Sequence, residues 1–170
     1  FGGPEPIEKL CAEAREYGFA MVAINPSEVT RCVELLKGTK GRVGAAISFP
    51  LGQMTSAAKA FEIRDAIDKG AGEIDMVQNV RALQEGNAAL VFAELKDMAD
   101  VCRARGVISK VILETCYLTD EQKVRTCELA VKAGGDFVKT STGFGTAGAT
   151  AADIALMRRT VGPEMGVKAA

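Results

Sequence analysis

The 170-residue sequence contains no histidine. That absence removes the His-based Ser and Cys triads and every histidine metal ligand. No apolar run approaches the ~18–20 residues a membrane helix requires, which predicts a soluble protein. Nor is charge of one sign in excess: 21 Lys and Arg face 22 Asp and Glu, leaving a net charge of −1. So balanced a chain has no global field to hold nucleic acid or an anionic membrane. The five cysteines (Cys11, Cys32, Cys102, Cys116 and Cys127) are odd in number and form no CxxC. They argue against a disulfide framework or zinc knuckle, and for a reducing cytoplasm with no secretory or transit segment.

What the chain does have is apolar residues, 48% of the total. That share suits one soluble globular domain over residues 1–170. Short apolar runs recur at 20–25, 42–50, 73–77, 110–115, 136–142 and from 166 onward. Between them lie segments with helical periodicity and recognisable ends. Ile7, Leu10, Cys11 and Ala14 follow the i, i+3, i+4, i+7 spacing, and Val29, Cys32, Val33 and Leu36 follow the same kind of pattern. Further helices are expected over about 55–69 and 87–105, closing at Gly70 and Gly106. Thr119 with Gln122 makes a capping box for the fifth, which Gly134 ends, and Thr150 with Asp153 opens the sixth before Gly162-Pro163.

Strands alternating with helices mean βα units and a parallel sheet. An open doubly wound sheet competes with a (β/α) barrel. Central strands of an open sheet are covered on both faces and read apolar throughout. Here Asp75 alternates with Ile74 and Met76, and Lys110 and Glu114 share a face that Val111 and Leu113 do not. Lys139 likewise turns away from Val138, and Lys168 from Val167. One face that packs on helices and one that carries Asp, Glu and three Lys suits a barrel interior with a reaction centre in its upper layer.

Interior charges are costly unless paired. One reading is a buried ion-pair network, Lys110 with Glu114 and Asp75 with Lys139 or Lys168. The other notes that two lysines on neighbouring strands disfavour each other's protonation, as does desolvation. A lysine treated in this way supplies the free amine that Schiff-base chemistry needs, with a carboxylate beside it to relay protons.

Gly143-Phe144-Gly145-Thr146-Ala147-Gly148 matches G-x-G-x-x-G, but Lys168 stands in the strand where a dinucleotide site wants an acid. The milder reading is a flexible loop whose amides approach a phosphate. Cys116 follows a strand at the presumed active face, yet with no histidine to activate it a small buried side chain is the simpler role. The other four cysteines read as core fillers, Tyr117 as a packing residue, and Lys37, Lys40 and Arg42 as a solvated loop.

These residues resemble a known family. Phe137-Val138-Lys139-Thr140-Ser141-Thr142-Gly143-Phe144 followed by Gly148-Ala149-Thr150 is similar to the signature of deoxyribose-phosphate aldolases. Glu73-Ile74-Asp75-Met76-Val77, Lys110-Val111-Ile112-Leu113-Glu114-Thr115 and Gly162 to Ala169 resemble that family's fourth, fifth and seventh strand regions, in family order. The resemblance implies a class I aldolase on a TIM (β/α)8 barrel, a cytoplasmic enzyme of deoxyribonucleotide catabolism. It implies reversible cleavage of 2-deoxy-D-ribose 5-phosphate to D-glyceraldehyde 3-phosphate and acetaldehyde. Lys139 matches the Schiff-base lysine, Lys168 the second lysine that lowers its pKa, and Asp75 the relay carboxylate. Lys110, Thr142, Gly143 and Phe144 match substrate-binding positions, the last two near the phosphate end. The expected partners are small phosphorylated sugars and aldehydes, with no metal or organic cofactor, no nucleic acid and no membrane; a homodimer is compatible.

Counted against the family, the chain carries strands two to seven, which predicts a single barrel domain truncated at both ends, between Phe1 and Ala170. Two open sheet edges would then favour association and weaken activity of residues 1–170 alone. Another Schiff-base lyase on the same barrel and a non-catalytic fragment are the alternative readings.

Overall fold

The computed structural model describes residues 4–170. Six strands form one sheet: β1 (Met21–Ile24), β2 (Arg42–Ile47), β3 (Glu73–Val77), β4 (Ile108–Ile112), β5 (Phe137–Lys139) and β6 (Gly166–Lys168). Their order in the sheet is their order in the chain, and every pair is parallel. Helices α1 (Pro4–Tyr17), α2 (Val29–Leu35), α3 (Ser56–Asp68), α4 (Val80–Gln84), α5 (Ala88–Arg105), α6 (Asp120–Ala133) and α7 (Ala151–Val161) accompany them. The sheet curls strongly: Lys168 Nζ on β6 lies 3.8 Å from Met21 Sδ on β1, across the interior. An α/β fold with six parallel strands in a partial barrel is therefore what the alternating pattern foretold.

The helix ends follow the local chemistry. Both reciprocal bonds of the Thr119–Gln122 capping box are present, and Gly134 closes α6 in the left-handed region at φ 79°. Thr55, Asn87 and Thr150 each accept an N–H from the first turn of their helix. α4 was not foreseen, because five residues capped by Asn79 are too few to show a period.

Period-two alternation sends Val22, Val43, Ala45, Ile47, Ile74, Met76, Val111 and Val138 outward into a core shared with the helices, where each is almost fully buried. Cys11, Cys32, Cys102 and Cys127 fill that core as expected. Tyr117 does not: it is exposed, and its hydrogen bonds are made by its backbone, the carbonyl accepting from Gln84 and the N–H donating to Glu114 O. Arg42 opens β2 rather than lying in a loop, though its side chain stays exposed.

Several strands are shorter than their apolar runs. β2 stops at Ile47 because Ser48 turns to φ 57°, its N–H donating to Glu62 Oε2 of α3 at 2.8 Å. β4 stops at Ile112, and Glu114 turns to φ 59°. Both turns lie at the C-terminal ends of strands, the end at which parallel barrels build their sites. Backbone pairing nonetheless continues there, with Leu113 N donating to Lys139 O at 2.9 Å and Thr115 N to Thr140 O at 3.0 Å.

Candidate active site

The inward faces of β3, β4 and β5 converge on Asp75. Register sets Asp75 opposite Lys110, and Lys139 opposite both Ile112 and Lys168. Asp75 Oδ1 accepts from Lys110 Nζ at 2.9 Å and Oδ2 accepts from Lys139 Nζ at 2.8 Å. Lys110 also donates to Glu73, two residues before Asp75 and on the same face. All four groups are buried. Lys168 is half-buried, and among the described residues no carboxylate lies within hydrogen-bond reach of its amine, which touches Met21 Sδ instead.

Charge bookkeeping follows directly. Glu73 and Asp75 engage Lys110 and Lys139, which leaves Lys168 as the interior lysine without a carboxylate partner among the described residues. Burial opposes the charge of Asp75, but the Lys139 and Lys110 ammoniums and their hydrogen bonds outweigh it and hold the carboxyl below its ordinary range. Lys168 is pushed below the ordinary lysine value, first by burial and then by the neighbouring Lys139 charge. The Lys139 charge thus acts on Lys168 from the adjacent strand.

Above these groups opens a cavity of about 200 Å³ at the C-terminal end of the sheet. Ala23 and Ala46 leave its floor open, Asp75, Lys139 and Thr142 supply its polar groups, and Phe49 and Phe144 form a wall. Those two rings meet edge to face at 6.2 Å, and the Lys139 ammonium lies 6.0 Å from the centre of Phe49. A wider opening of about 520 Å³ lies at the opposite end, beside Asp136, Glu164 and Gly166, away from every interior lysine.

Of the residues expected at a site, Asp75, Lys139, Thr142 and Phe144 line this cavity together. Lys168 flanks Lys139 from the next strand. Gly143, at φ 93°, sits in the loop between Thr142 and Phe144 but does not line the cavity. Lys110 lies beneath, committed to Glu73 and Asp75. Its anticipated pairing with Glu114 does not occur, since Glu114 has left the strand and its carboxylate accepts from Thr142. Glu73 and Phe49 were missed. The period-two rule that singled out Asp75 applies equally to Glu73, whereas nothing local marks Phe49.

Burial pushes the thiols of Cys32, Cys102 and Cys127 up to about 12, far from the thiolate form. Cys116 is half-buried beside Gly145. Among the described residues no three His, Cys, Asp or Glu gather in a way that would hold a metal ion, and no helix is long and apolar enough to cross a membrane.

A parallel curled sheet with an amine-rich interior and a carboxylate between two lysines has close counterparts. The chain is 68% identical to the deoxyribose-phosphate aldolase of Bacteroides thetaiotaomicron, across 100% of this chain and 71% of that protein. It is 56% identical to the enzyme of the same name from a Geobacillus species, across 96% of this chain and 73% of that protein. In three dimensions it superposes on the tetrameric deoxyribose phosphate aldolase of Aeropyrum pernix with a TM-score of 0.87 and 29% identity, covering 99% of this chain and 71% of that one. An aldolase named QR15 aligns with a TM-score of 0.91 and 32% identity, covering 98% and 74%. Residues 4–168 match the family described as DeoC/LacD family aldolase, and with lysines and carboxylate in the same fold, the chain belongs to that family.

Proposed function

We propose that the chain is a class I aldolase acting on 2-deoxy-D-ribose 5-phosphate through a Schiff base on Lys139. The observation that carries this reading is the Lys139 amine on the cavity surface, 2.8 Å from Asp75 and in register with the loosely protonated Lys168. The names of the relatives supply the substrate.

The steps follow from the chemistry of these groups. Lys139 gives a proton to Asp75 Oδ2, which it meets at 2.8 Å, and attacks the C1 aldehyde of the open-chain sugar. Asp75 returns that proton to the carbinolamine hydroxyl, which leaves as water and gives a protonated imine, an electron sink. The C2–C3 bond breaks toward that sink while the C3 hydroxyl passes its proton to the Asp75 carboxylate, releasing glyceraldehyde 3-phosphate and leaving an enamine. Protonation of the enamine carbon, relayed through Asp75, gives the acetaldehyde imine, which water hydrolyses. The Lys168 ammonium, which has no carboxylate partner among the described residues, favours a phosphorylated guest. The Phe49–Phe144 wall restricts water around the amine, which strengthens the local electrostatics.

Borohydride reduction in the presence of acetaldehyde tests this reading. Peptide mass spectrometry should find the two-carbon adduct on Lys139. An adduct on Lys110 or Lys168 instead, or none anywhere, overturns it.

A further inference from the structure

Glu114 is completely buried, and it ends β4 in the left-handed backbone region at φ 59°. Both conditions are costly for a carboxylic side chain. Among the described residues no Lys or Arg forms a salt bridge with it. Its hydrogen bonds come from one residue instead. Thr142 N donates to Oε1 at 3.1 Å, and the Thr142 hydroxyl donates to Oε2. The loop packs so closely there that a Cβ on Gly145 would lie 3.3 Å from the Glu114 carboxyl carbon and 2.7 Å from Cys116 Sγ.

A threonine hydroxyl has one proton and two lone pairs. Here the proton is committed to Glu114, and one lone pair accepts the Phe144 N–H at 3.0 Å. What remains is a single acceptor site on a side chain that lines the cavity with Lys139 and Asp75. Turning the hydroxyl proton into the cavity would give up its bond to Oε2 and leave that buried oxygen only a long second contact from Thr142 N, at 3.4 Å.

We propose that Glu114 is a positioning residue that turns the Thr142 hydroxyl proton away from the cavity, so that Thr142 accepts a hydrogen bond from the substrate hydroxyl on the carbon where the bond breaks. This rests on the Schiff-base reading of Lys139, and it separates two kinds of aldehyde. A β-hydroxy aldehyde such as the deoxy sugar phosphate feels the acceptor. Acetaldehyde, which has no hydroxyl, does not.

The test compares Glu114→Gln, Thr142→Val and the double variant with the unaltered protein. Cleavage of 2-deoxyribose 5-phosphate should fall in kcat/KM on the order of tenfold to a hundredfold in each single variant, the size of one hydrogen bond to a substrate hydroxyl. In Glu114→Gln, reductive trapping of acetaldehyde on Lys139 should stay within about twofold, since that step makes no use of the bond. Thr142→Ser should retain cleavage. The double variant should be no worse than Thr142→Val alone, because both changes remove the same interaction. Glu114→Gln cleaving as well as the unaltered protein overturns the proposal, as does a double variant whose loss is the product of the single losses. Parallel loss of trapping and cleavage in Glu114→Gln also overturns it, since that marks general damage to the site. Cleavage retained in Thr142→Val overturns the proposal as well, without altering Glu114. Failure of the unaltered protein to trap acetaldehyde on Lys139 overturns the Schiff-base reading itself and this proposal with it.

Discussion

Lys139 and Lys168 are register partners on adjacent parallel strands, yet only Lys139 holds a carboxylate, Asp75 Oδ2 at 2.8 Å. The two amines therefore divide the work of the site between a neutralised and an unneutralised cation. Their different surroundings make separable predictions.

Replacing Asp75 with Asn should slow exchange of the acetaldehyde methyl protons by on the order of a hundredfold or more, while adduct formation on Lys139 persists. Mass spectrometry of acetaldehyde recovered from heavy water measures the exchange. Unchanged exchange removes Asp75 from the relay.

The same variant has a stability signature. Removing a buried carboxylate from two ammoniums should cost about 3–5 kcal/mol at pH 7. Because the folded pKa of Asp75 lies below its unfolded value, its contribution is fully present above pH ~4 and disappears as pH falls through the lowered value. Urea titrations of both proteins should show their difference shrinking below pH ~4. A difference that does not change with acidity contradicts the assignment.

Lys168 runs the opposite way. Its folded pKa lies below the ordinary lysine value, so the charged form costs stability at neutral pH, and that cost fades as pH rises toward ~10.4. Lys168→Met should melt higher than the unaltered protein at pH 7, with the gap narrowing by pH 10, while cleavage activity falls. Melting curves at the two values check this. A variant that melts lower at pH 7 refutes it.

Away from the site, Lys59 and Glu94 form an ion pair between α3 and α5, with Nζ to Oε2 at 2.6 Å and both side chains buried. Lys59→Met leaves that carboxylate with only the Ser56 hydroxyl, and should cost about 3–5 kcal/mol. Adding Glu94→Leu should recover most of the loss, as read by urea unfolding. A double variant as unstable as the single one shows that the two side chains act separately.

Thiol labelling offers an independent check on packing. Iodoacetamide at pH 8 should modify Cys116 first and leave Cys32, Cys102 and Cys127 untouched in the folded protein, since those thiols are buried and titrate near 12. Peptide mapping decides it.

Much of this architecture was legible because period-two alternation is a backbone property. Asp75, Lys139 and Lys168 each fell out of phase with apolar neighbours, which placed them inside before any contact was known. The end signals worked for a similar reason: Thr119 with Gln122 and Gly134 satisfy local backbone groups, and local rules describe them. Glu114 escaped those rules. Continued as a strand it would have faced Lys110, but a left-handed turn at φ 59° re-aims it toward a loop 28 residues onward. Ser48 shortened β2 by the same device. Such turns depend on tertiary partners, which no window of sequence displays. Phe49 was likewise invisible, since its meaning comes from Phe144, 95 positions away.

The sequential strand order has a consequence in time. β2 to β5 each pair with the strand just before and the strand just after, and β1 and β6 with their one neighbour in the chain, so each addition to the sheet joins elements adjacent in sequence. A ribosome releasing this chain from its N-terminus would deliver β1 to β3 first, with Asp75 already set on an apolar scaffold. Lys110 then arrives to neutralise it, and Lys139 follows. The Lys139 amine thus arrives after its counter-charge, and Lys168, which has no carboxylate partner among the described residues, follows it.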